Sequence, residues 1–97
     1  MREDAPVGRG PAPAPALGDA KAEKAIAKRA LEGRKLAVAI AAAERAVALD
    51  ATDGEAWLLL GAAHQEKGDL ASARRAYASC VKDAKKGPRH ECAQMLR

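Results

Sequence analysis

The sequence predicts an all-α domain: a short array of antiparallel helix–turn–helix units behind a disordered N-terminal tail. Three observations carry this. Alanine, the best helix former, supplies 26 of the 97 residues. The residues that favour sheet are sparse, with no Phe, one Trp and one Tyr. Two segments also align at an offset of 34 residues. In the second, Trp57, Leu60, Gly61 and His64 are followed by Gly68, Ala73, Tyr77 and Cys80. In the first, Ile26, Ala27, Gly33, Ala39 and Ala46 fall on or beside the matching places.

Residues 1–19 form a Pro/Ala-rich tail. In the run from Gly10 to Ala16, proline alternates with alanine. Proline fixes φ and removes a donor, so this stretch favours extended polyproline II and reads as a spacer. The first helix starts at Asp19, whose carboxylate can cap the opening turn, and runs to about Glu32, where Gly33 ends it. The second covers about Lys35 to Leu49, with Leu36, Ala39, Ile40, Ala43 and Val47 at helical spacing. Asp50 to Gly54 is a turn, with Thr52 and Glu55 spaced as a capping box. The third helix runs from about Asp53 to Lys67. Gly68-Asp69 stops it and caps the fourth, about Leu70 to Ala84. Gly87 ends that helix, and Pro88 opens a short fifth at about 88–96.

Residues 54–87 resemble the tetratricopeptide repeat, a 34-residue helix–turn–helix unit with the pattern W-x2-L-G-x2-Y…A-x3-F…P. Trp57, Leu60 and Gly61 supply the opening, His64 stands in the Tyr place, Gly68 makes the turn, and Ala73 and Tyr77 supply A-x3-F/Y. Gly61 and Ala73 are small enough for two helices to approach closely, with Trp57, Leu60 and Tyr77 filling the space around them. Residues 20–53 fit more loosely, with Glu23, Ala30 and Ala43 in the aromatic places. The closing Pro is absent from both copies. The domain thus spans 20–97, with repeats at about 20–53 and 54–87 and a terminal helix. Arrays of this kind usually need about three repeats for stability.

The resemblance implies a protein–protein interaction module or adaptor without catalysis of its own. Its groove would be lined by the first helix of each pair. On that basis the groove residues are Lys21, Lys24, Lys28 and Leu31 from the first helix and Leu58, Ala62 and Gln65 from the third. The fifth helix would add Arg89, Cys92 and Leu96. Three lysines at helical spacing would attract an acidic peptide, although such a stripe is also what a solvated face looks like. Two other readings stay open. The chain could be an accessory module of a larger bacterial enzyme or secretion assembly, or a self-associating structural unit.

Composition weighs against other classes. The net charge is +4, and the basic residues are not interleaved with aromatics as in nucleic-acid binders. No apolar run approaches membrane-spanning length, and residues 1–19 carry no apolar signal core. A cytoplasmic address and a protein or peptide partner follow as expectations, with neither nucleic acid nor membrane. Cys80 and Cys92 are too few for a disulfide scaffold, so a reducing compartment is expected, with Cys80 as a small buried packing residue. His90-Glu91-Cys92 lacks the second His of H-E-x-x-H, and His64, Cys80, His90 and Cys92 match no familiar zinc spacing. No cofactor is expected.

Overall fold

A computed structural model describes residues 19–97; all of the proposed tail except Asp19 lies outside the described residues. Five helices follow one another among the described residues: α1 (Ala20–Glu32), α2 (Leu36–Leu49), α3 (Gly54–Lys67), α4 (Leu70–Asp83) and α5 (Arg89–Met95). They pack in two layers. α1, α3 and α5 touch in succession, while α2 lies against α1 and α3, and α4 against α3 and α5. The fold is all-α, with neighbouring helices antiparallel.

The 34-residue period is present in the backbone. Ala20 and Gly54 open α1 and α3 at that spacing, as Leu36 and Leu70 open α2 and α4. Asp19 and Asp53 are the matching N-caps: Asp19 accepts from Ala22 N at 2.7 Å, and Asp53 from Glu55 N at 3.0 Å. Asp69 caps α4, accepting from the backbone N–H and the hydroxyl of Ser72. The buried Asp53 cap contributes about 1 kcal/mol.

Several local expectations are corrected. The α1–α2 turn is left-handed at Arg34 (φ 61°), not at Gly33 (φ −86°). Arg34 stands 34 residues before Gly68, whose φ is 93°. An Arg in that conformation costs about 1–2 kcal/mol. The Lys35 N–H donation to Ala30 O at 2.8 Å and the Arg34–Glu66 ion pair hold it there. The Thr52–Glu55 capping box does not form, because Asp53 is the cap and the Thr52 hydroxyl donates to Asp50 at 2.6 Å. α4 stops at Asp83 with Ala84 as its cap, and Gly87 (φ 81°) turns the following link into α5.

The core is mostly alanine: Ala27, Ala42, Ala43, Ala46, Ala56 and Ala63 are at most 1% exposed. Small side chains bring helices close and leave few large contacts. Tyr77 is the largest fully buried residue. Its ring lies on Gly61, where an added Cβ would come within 2.3 Å of Cε1. The close approach at Gly61 therefore admits the Tyr77 ring. In the first repeat Ala27 and Ala43 hold the corresponding places, both buried in one cluster. Trp57 is half-buried between the two larger clusters, and its Nε1 donates to Ala51 O at 2.8 Å. The matching Glu23 is 8% exposed and accepts from Arg45 Nε at 2.9 Å, so an ion pair stands where the second repeat has Trp.

Cys80 and Cys92 are joined in a disulfide. This overturns the reading of Cys80 as a packing residue alone and of Cys92 as a groove residue. Both are buried completely, because α5 folds back on the end of α4. Closing a loop of 12 residues' separation disfavours the unfolded chain by about 3 kcal/mol. No helix among the described residues is long and apolar enough to cross a membrane.

Candidate interaction groove

The layer made by α1, α3 and α5 carries two adjoining clefts. One, of about 410 Å³, is lined by Lys21, Lys24 and Lys28 of α1 with Asp50, Asp53 and Glu55. The other, of about 610 Å³, runs from Lys24, Glu55 and Leu58 to Lys86, Pro88 and Glu91. Helical spacing aligns the three lysines on one side of α1. The Asp53 cap and first turn of α3 then present carboxylates to them.

Two of the three lysines are already paired. Lys24 Nζ lies 2.6 Å from Asp53 Oδ2 and 3.0 Å from Glu55 Oε1, and Lys28 Nζ lies 2.6 Å from Glu55 Oε2. Lys86 pairs with Asp50 at 2.9 Å. The Asp53 carboxylate thus caps α3 with one oxygen and holds Lys24 with the other, 5% exposed. These contacts tie the two repeats together across the groove. They also change its character. The groove end expected to be basic is an alternating lattice of opposite charges.

The titrations follow from the same contacts. The bond to Asp53 raises the Lys24 ammonium above its ordinary value, with Glu55 adding to the effect against burial. Lys28, then Lys24, holds the Glu55 carboxyl below its ordinary value. The Thr52 hydroxyl, Lys86 and the Thr52 N–H bring Asp50 down to about 2. Ser72 lowers Asp69. Burial raises the Tyr77 phenol.

A carboxyl lowered by folding stabilises the native state above its unfolded value and loses that effect as pH falls through its folded value. The melting temperature is therefore expected to hold steady from pH 7 to about 5. It should then fall progressively from about pH 4 towards 2 as Glu55, Asp69 and finally Asp50 protonate. Thermal melts followed by circular dichroism across that range check this.

Of the sequence-predicted groove residues, Lys21, Lys24, Lys28 and Leu58 meet in these clefts. Leu31, Ala62 and Gln65 lie outside both. Leu31 packs on Ala30, Ala39 and Ala63, where α1, α2 and α3 meet. The Gln65 Oε1 accepts the Tyr77 hydroxyl at 2.8 Å, which binds α3 to α4. Asp53, Lys86, Pro88 and Glu91 were not singled out as groove residues from the sequence. For Asp53 a signal existed, its 34-residue distance from Asp19. The disulfide uses both cysteine sulfurs, so the four-ligand set of His64, Cys80, His90 and Cys92 cannot assemble with free thiolates.

The chain matches no protein-family model, no curated protein and no solved structure.

Proposed function

We propose that the chain is a protein-interaction module of tetratricopeptide-repeat type that binds a peptide segment of a partner along the α1–α3–α5 face. The observation that supports this best is the pair of adjoining clefts on one layer of a 34-residue helical repeat. Leu58 gives the face an apolar centre, and exposed Lys21 and Glu91 give its two ends opposite charge. Because Lys24 and Lys28 are already paired, the reading favours a mixed-charge peptide over a strongly acidic one. Groups already neutralised within the protein gain little from a further charge.

A displayed random-peptide library tests this. Peptides selected on the wild type are expected to bind at least about tenfold more weakly to Lys21→Glu/Glu91→Lys. They should bind unchanged to Glu44→Lys/Arg74→Glu, which alters exposed positions on α2 and α4. Equal loss on both variants, or no selectable peptide, would count against the groove.

Self-association is the second reading. Ile26 and Val38 are 39% and 49% exposed and line a cleft of about 380 Å³ on the first helix pair. Light scattering tests it, since self-association requires twice the monomer mass in solution.

A further inference from the structure

We propose that the Cys80–Cys92 disulfide fastens α5 as the end wall of the groove, and that the oxidised chain is the binding-competent form. The proposal rests on the groove reading above and adds its regulation and its compartment.

α5 supplies Glu91 to the larger cleft, and Pro88 just before it supplies another part of the wall. The helix is only seven residues long. An isolated helix of that length does not hold in water, because nucleation costs more than so few bonds return. Outside the covalent clamp it is held only by non-covalent contacts with α3 and α4. Arg89 Nε donates to Val81 O at 2.7 Å, and Cys92 and Leu96 pack on the end of α4.

The link before α5 is held separately. Gly54 N donates to Lys86 O at 2.9 Å, and Lys85 N to Thr52 O at 2.8 Å. Breaking the disulfide therefore leaves the link docked on α3 and frees α5 beyond it. The first four helices keep their own contacts, since α1 to α4 pack pairwise without α5.

The chemistry is thiol–disulfide exchange. The Cys80 and Cys92 thiols form one S–S bond while an incoming disulfide, from a small molecule or an oxidoreductase, is reduced to two thiols that take up the two protons. Both sulfurs are buried, so a reductant reaches them only when α5 opens. The two sulfurs lie 3.6 and 4.0 Å from Gly54 O. As a disulfide neither carries a proton to donate there. A clamp of this kind persists in an oxidising compartment and is lost in a reducing one. On this proposal the chain works in an oxidising compartment rather than in the reducing cytoplasm that the sequence led one to expect.

The test uses the full chain in three forms: oxidised with glutathione disulfide, reduced with a phosphine, and as Cys80→Ser/Cys92→Ser. Alkylation with mass spectrometry counts free thiols. Amide hydrogen exchange is followed helix by helix. Binding is read with a library peptide whose affinity depends on Lys21 and Glu91.

The oxidised chain is expected to take up no alkyl group. Exchange over residues 89–95 should accelerate at least about tenfold on reduction and in the variant, with α1–α4 changing little. Peptide affinity should fall by a similar factor. Two free thiols after oxidation would overturn the proposal, as would equal α5 exchange in all forms. Faster exchange throughout the domain would make the bond a general staple and overturn the local clamp. Opening of α5 with unchanged affinity would overturn the link to binding. The exchange and thiol measurements need no peptide, so failure of the groove reading is seen separately.

Discussion

Trp57→Ala is expected to abolish cooperative thermal unfolding. Trp57 packs against both the cluster around Ala42, Ala43 and Leu60 and the cluster around Tyr77 and Cys80. It is therefore the contact between the repeats as well as within one. Its indole N–H also fixes the α2–α3 turn through Ala51 O. Truncating a core Trp costs about 3–5 kcal/mol, and its partial exposure puts the cost near the lower end. A core of this size supplies on the order of 3–5 kcal/mol in all. Differential scanning calorimetry should show a broad, low-enthalpy transition in place of a peak. A cooperative melt within a few degrees of wild type would mean that the two clusters hold together without it.

The second large effect is at Gly61. Gly61→Ala is expected to destabilise by about 1–3 kcal/mol, although alanine favours helix over glycine by about 1 kcal/mol. The new methyl overlaps three carbons of the Tyr77 ring, the nearest at 2.3 Å. The ring is buried and tied at its hydroxyl to Gln65, so it cannot swing away cheaply. In a Tyr77→Ala background the sign should reverse, because the second repeat then has the Ala–Ala pairing seen at Ala27 and Ala43. Denaturant titrations in a stabilising osmolyte keep all four proteins of the cycle folded. The expected coupling is about 2–3 kcal/mol. Additive effects would show that Gly61 is present for some reason other than the ring.

These two positions also show what was legible from the sequence. Helix number, helix limits to within a residue or two, and the Asp19 and Asp69 caps follow from breakers and caps acting locally. The Gly61–Tyr77 neighbourhood followed from the repeat pattern, but not which atoms touch. That depends on how far α3 and α4 approach. Gly33 misled because a glycine is the usual left-handed residue, whereas the period places that conformation one residue later, at Arg34.

The groove was read less completely. The lysine stripe was visible, since its spacing is local to one helix. Its pairing with carboxylates was not, because Asp53 and Glu55 reach the lysines only through the packing of α1 on α3. The disulfide was missed for a related reason. A spacing of 12 residues matches no local motif, and the pairing arises only when α5 turns back onto α4.

The central claim is that the α1–α3–α5 layer binds a peptide. Amide chemical-shift mapping on the oxidised protein, titrated with a library-selected peptide, tests it most directly. Shift changes are expected at Lys21, Lys24 and Lys28, at Glu55 and Leu58, and from Arg89 through Glu91, with the exposed positions of α2 and α4 unmoved. Changes centred on Glu44, Arg74 and their neighbours, with the cleft residues silent, would contradict it.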